Sequence, residues 1–147
     1  MRLWEHTFEE LTGGEQPQGD RPEPFIAQPF VGATVVPITQ NPRYATAVIP
    51  GSKDFGHQAL LEWRDGSWVC VGHYVDDTIQ LDVSVRGMGL AEELVLRCVE
   101  HRHSLPLTTG FTNRGFRLLR RAHRLAVERA LQAGLPVPQN VRDETVL

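Results

Sequence analysis

The chain has 147 residues, 41% hydrophobic and 22% charged, which predicts one globular domain around a single core. No apolar run nears the roughly 20 residues of a membrane span, and the N-terminus lacks a secretory profile, so neither a membrane nor a secreted protein is expected. The formal net charge of −3 hides a division: residues 1–85 carry five basic and twelve acidic groups, residues 86–129 nine arginines against four glutamates.

Trp4, Phe8 and Leu11 recur at i, i+4, i+7 and predict a short helix over residues 3–11. Thr12-Gly13-Gly14 opens a Pro/Gly/Gln-rich extended connector that runs to Pro29. Residues 1–29 therefore read as an arm and residues 30–147 as the folded domain. Such an arm docks on its own domain or reaches a partner subunit, as in a homodimer. Residues 31–38 and 44–49 are strand-like, separated by Gln40-Asn41-Pro42. Residues 57–63 and 68–74 flank Asp65-Gly66, a hairpin signal because both central turn positions want φ > 0. Asp76-Asp77 marks another turn, followed by a strand over 78–85 with Ile79, Leu81, Val83 and Val85 on one face.

A helix from Leu90 to about His101 places Leu90, Ala91, Leu94, Val95, Cys98 and Val99 along one stripe. Residues 104–108 suit a short strand, which Pro106 confines to an edge or bulge. A second helix starts at Asn113 or Arg114 and runs to about Gln132, with Leu118, Leu119, Ala122, Leu125, Ala126 and Ala130 inward. Gly134 stops it, and Pro136 and Pro138 prevent continuation. This order predicts an α+β fold, a mostly antiparallel central sheet with packed helices. Cys70 and Cys98 are isolated, so no zinc site or disulfide framework is expected and a reduced, cytoplasmic setting is the default. His101 and His103 lack the further ligands a metal would need.

The most informative segment is Arg86-Gly87-Met88-Gly89-Leu90-Ala91, a glycine-rich turn between a predicted strand and a predicted helix. Backbone N–H groups at such a helix N-terminus suit a phosphate. Glu92 replaces the third small residue of the dinucleotide fingerprint, and the Gly-Lys-Ser/Thr of a Walker A loop is absent.

The six residues 86–91 match R/Q-x-x-G-x-G/A, and the segment resembles the acyl-CoA pyrophosphate loop of GCN5-related N-acetyltransferases, with Leu94 at an apolar position of that family's helix. The resemblance implies a GNAT-like fold in which acetyl-CoA or another acyl-CoA lies beside the strand. Its pantetheine arm would pair with Val83 and Val85. Its pyrophosphate would sit on the amides of Gly87, Met88, Gly89, Leu90 and Ala91, beside Arg86. The family's later Asn–Tyr motif survives as Asn113-x-x-Phe116, which puts Asn113 near the cofactor but supplies no tyrosine, since none follows residue 74. Val83 stands where the family often has proline, and residues 34–57 are too β-rich and short for its usual early helices. Residues 121–138 also resemble C-terminal segments of small phage and bacterial proteins, some like an acyltransferase-like branch that includes phage DNA-modification proteins.

The resemblance implies a proton-accepting base at the start of the strand before the loop. Asp77 occupies that position, with Asp76, Asp82 and His73 nearby. Asp76-Asp77 also fits a solvated turn, and His73 a surface histidine whose ordinary pKa of about 6.5 would suit base work. His123 reads as a core-edge histidine or as a substitute for the missing phenol.

Arg114, Arg117, Arg120, Arg121 and Arg124 share one broad helix face with only Glu128 as an i+4 partner, for Arg124. The face suits nucleic acid or another anion, a solvated surface, or an oligomer interface. Two functions follow. One is an acyl-CoA-dependent N-acyltransferase acting on an amine acceptor. The other is a non-catalytic GNAT-like module that meets nucleic acid or a partner protein through helix 114–129.

Overall fold

The computed structural model describes residues 2–19, 25–32, 34–51, 57–75, 78–99 and 113–145. The Asp76-Asp77 turn, His101, His103 and the expected strand 104–108 lie outside them. Among the described residues no helix is long and apolar enough to cross a membrane. The elements give an α+β chain with an antiparallel sheet and packed helices. The chain forms two compact units, residues 22–101 and residues 1–21 with 102–147.

Among the described residues, the first unit contains a six-stranded sheet built from β1 (Gln28–Pro29), β2 (Val36–Pro37), β3 (Tyr44–Val48), β4 (Gln58–Arg64), β5 (Ser67–Val75) and β6 (Thr78–Leu81). The order is β1-β5-β4-β3-β2, and every pairing is antiparallel. Because β4 lines one edge of β5, β1 and β6 share the other, at residues 69–70 and 72–75 respectively. The β4–β5 hairpin turns on Asp65 (φ 49°) and Gly66 (φ 80°), both left-handed as the Asp-Gly pair predicts. Leu60 faces Gly72 while Leu61 faces Cys70, which leaves Val71 as the extra residue of a β-bulge.

Two predicted strands are shorter than their sequence pattern. Residues 31–38 contribute only Val36–Pro37, an edge pair, since Pro37 has no N–H for a second ladder. The strand expected over 78–85 ends at Leu81. Asp82 instead caps a 3-10 turn over Val83–Val85, its carboxylate accepting from the Ser84 N–H at 3.3 Å. A side-chain acceptor two residues from its donor competes with the sheet ladder, and here it wins. Val83 is consequently 73% exposed and Val85 buried, so they do not share a face.

One face of the sheet buries Ala45, Ala47, Ala59, Leu61 and Cys70 beneath Phe25, Phe30, Val35, Ile49 and Trp68. Alternation turns Tyr44, Thr46, Leu60 and Glu62 to the opposite face. There α2 (Leu90–Val99) packs on β4 and β5, burying Leu90, Leu94, Val95, Cys98 and Val99.

The second unit joins both ends of the chain. The predicted helix 3–11 is interrupted: a 3-10 turn at Leu3–Glu5 precedes α1 (Phe8–Thr12). Thr7 and Glu10 form a reciprocal capping box between them, which fixes a new helix start. The long helix α3 (Asn113–Gln132) ends as expected at left-handed Gly134 (φ 73°). The Leu135 N–H reaches the Ala130 carbonyl at 2.9 Å, closing a Schellman motif. Leu118, Leu119, Ala122, Ala126 and Ala130 are buried, but Leu125 only half, while His123 and Val127 join the interior. A short helix, α4 (Gln139–Thr145), follows the prolines expected to act only as stops. Val127, Ala130, Val137 and Val141 make a small core against Trp4.

Candidate functional site

The glycine turn is left-handed twice, at Gly87 and Gly89, each with φ 77°. No atom lies within 4 Å of where a Cβ would stand at either position, so both glycines serve backbone conformation and not close packing. Gly87, Met88 and Gly89 are exposed, and Leu90 then plunges into the interior. The Glu93 N–H to Gly89 carbonyl bond, 3.4 Å, starts α2. The strand–turn–helix order predicted around residues 86–91 is therefore present, with the 3-10 turn interposed. Arg86 folds back, its guanidinium donating to the Leu81 carbonyl at 3.4 Å. Glu92 and Glu93 occupy the first turn of α2 and oppose an anion there.

Beside this turn lies a polar cluster that the sequence pattern did not point to. The Tyr44 hydroxyl is 3.8 Å from Met88 Sδ and hydrogen-bonds the Glu62 carboxylate. Arg64 Nε donates to Glu62, and Arg43 Nε stands 3.9 Å from its other oxygen. Arg64 also reaches Ser84 Oγ at 3.4 Å, and Ser84 in turn donates to Asp82. Glu62 is 5% exposed. Burial pushes its pKa up, but the Arg64 and Tyr44 hydrogen bonds and both guanidinium charges outweigh it and hold the carboxyl below the usual range. Burial, then Glu62 as acceptor and as charge, raises the Tyr44 phenol. Asp82 is lowered mainly by its Ser84 hydrogen bond. The signal was present as Glu62 and Arg64, two apart on one face of an otherwise apolar strand.

Of the sequence-predicted base candidates, the two among the described residues, Asp82 and His73, do not converge. Asp77 is outside the described residues. Asp82 belongs to the cluster just described, on the α2 side. His73 packs edge-on to Phe25 at 5.0 Å on the other face, and burial lowers its pKa against a Gln80 hydrogen bond. Val83 and Val85 offer no strand edge for a pantetheine arm. Asn113 begins α3, in the other compact unit from the turn.

In that unit all five face residues, Arg114, Arg117, Arg120, Arg121 and Arg124, are exposed. At 3.6 residues per turn they fall within an arc of about 120°. Arg120 is additionally stacked, its guanidinium 4.7 Å from the Phe8 ring and 5.4 Å from Phe116. His123 is a core residue, 2% exposed, with Nε2 donating to the His6 carbonyl at 2.7 Å. The Glu144 carboxylate accepts from the Phe8 N–H at 2.5 Å and the Glu9 N–H at 3.4 Å, so the chain's start is tied to α3 and α4 of its own unit. No group of three or more potential metal ligands occurs among the described residues.

Compared with models of known families, with curated proteins and with solved structures, the chain has no match.

Proposed function

We propose that the chain binds an acyl-CoA at the glycine turn and transfers the acyl group to an amine. The observation that carries this reading is the pair of left-handed, open glycines at the start of α2. Amides of residues 87–91 would hold the pyrophosphate, and the exposed turn leaves room for it. Strand pairing through Val83 and Val85 is not part of it. In the reaction, the amine nitrogen attacks the thioester carbonyl, the C–S bond breaks, and the thiolate leaves with a proton. Tyr44 and Glu62 bring ionisable groups to the turn, and Asp82, one of the expected base candidates, joins their cluster through Ser84 and Arg64. A carboxylate held below the usual range is a weak base, so positioning supplies much of any rate gain.

Isothermal titration with acetyl-CoA tests the reading. Micromolar binding that is lost in Gly89→Glu supports it, and absence of heat at millimolar acetyl-CoA overturns it.

A second reading rests on the arginine arc of α3. Five exposed cations on one helix face suit a phosphate backbone, and the chain would then serve as a nucleic-acid-binding module. Affinity for a DNA duplex should fall steeply with salt. The Arg117→Ala/Arg124→Ala double variant should reduce the log–log salt slope by about 2, one unit for each phosphate left unneutralised. An unchanged slope removes α3 from consideration.

A further inference from the structure

The tip of the β4–β5 hairpin carries a concavity of about 650 Å³, lined by Pro42, Arg43, Trp63, Arg64, Asp65 and Trp68. The hairpin register sets Trp63 directly opposite Trp68, and their rings meet edge to face, centroids 5.1 Å apart. That contact stabilises a hairpin by itself. It does not require the Trp63 indole to stay 46% exposed beside a concavity that Arg43 also lines. Arg43 is 64% exposed along its side chain, and its approach to Glu62 is a long one. The ring supplies a flat π surface; Arg64 is already held by Glu62, which leaves Arg43 as the more exposed cation lining the concavity.

We infer that this concavity binds a mononucleotide, the base stacked on Trp63 and the phosphate on Arg43. A neutral sugar would use the indole alone, whereas a phosphate can also meet Arg43, which is 64% exposed and 3.9 Å from Glu62 at its closest. A nucleotide satisfies both, and the cavity is of the size that holds small ligands. The site is independent of acyl-CoA binding at the glycine turn, since AMP has neither pyrophosphate nor pantetheine.

Tryptophan fluorescence titration with AMP tests it, using the full chain, Trp63→Leu, Arg43→Gln and Gly89→Glu. Saturable quenching by AMP is expected, weakened at least about tenfold in Trp63→Leu. Arg43→Gln should weaken AMP to the level of adenosine while leaving adenosine itself unchanged. This exposed substitution tests the site even if Trp63→Leu disturbs the hairpin, and an unaltered circular dichroism melt shows that it folds. Gly89→Glu should bind AMP normally. Absence of saturable quenching in the unmodified chain overturns the inference, as does equal AMP binding in Arg43→Gln. Competition by maltose as strong as by AMP overturns it too. Loss of AMP binding in Gly89→Glu with retention in Trp63→Leu would move the nucleotide to the turn and refute the hairpin site.

Discussion

Gly72→Ala is the sharpest probe of how the sheet delivers the chain to the glycine turn. Gly72 lies on β5 just after the bulge, opposite Leu81, the last residue of β6. An added Cβ would stand 2.5 Å from Leu81 Cδ2 and 2.8 Å from the Gln80 carbonyl oxygen. The leucine methyl can rotate away at small cost. The carbonyl belongs to the paired backbone and can retreat only if β6 shifts off β5, carrying Asp82 and the 3-10 turn with it. Overpacking of this kind costs about 2–3 kcal/mol. With a urea m-value of about 2 kcal/mol/M, the midpoint should fall by about 1 M or more. Gly19→Ala is the control, because nothing lies within 4 Å of its Cβ and its backbone is not left-handed. Its midpoint should stay put or rise slightly. The experiment is a urea titration of both variants followed by far-UV circular dichroism. If Gly72→Ala unfolds at the midpoint of Gly19→Ala, the close β5–β6 approach is refuted.

Burial lowers the His123 pKa, chiefly by desolvation and against the His6 carbonyl bond. The unfolded chain then binds the extra proton first, so this group's stabilisation is complete well above about pH 6.5 and declines as pH falls through that value. His123→Gln, whose amide can still donate to the His6 carbonyl, should flatten the change in Tm between pH 7.5 and 5.5; an unaltered slope would assign it elsewhere, His73 being shifted in the same direction. Glu144→Gln weakens the acceptor for the Phe8 and Glu9 N–H groups, and loss of charge assistance should destabilise the docked N-terminus by about 1–2 kcal/mol. Hydrogen exchange at Leu11 and Thr12 should quicken accordingly, and unchanged protection would contradict the tether. Glu62→Gln removes the charge and the strong acceptor that raise Tyr44, so one phenol should ionise at lower pH in a 295 nm titration. No change would show that burial alone sets it.

The residues easiest to read are those whose conformation depends on near neighbours. Asp65-Gly66 predicts a hairpin and makes one, and Gly134 predicts the end of α3 and provides it. The α3 periodicity places its start and end correctly, because twenty residues repeat the same pattern. The failures share a local cause that the apolar pattern outweighs on paper. Alternating Ile79, Leu81, Val83 and Val85 suggest one long strand, whereas Asp82 and Ser84 between them write a cap. Thr7 and Glu10 break the first helix in the same way, and Pro138 opens α4 where an end is expected: the Val141 N–H meets its carbonyl at 3.1 Å.

The α+β class, the hairpin, the long helix with its arginine face, and a glycine turn that opens a helix are all legible in the residues alone. Each rests on φ preference or periodicity over a few positions. The folded chain was needed to bring Tyr44, Glu62, Arg64, Asp82 and Ser84 beside Met88, and to return the N-terminal residues to α3 and α4. Those contacts depend on strand register, on the bulge at Val71 that shifts it by one, and on closure of the chain over more than a hundred residues. No local pattern encodes that geometry, because a one-residue slip would turn each of these strand side chains to the opposite face.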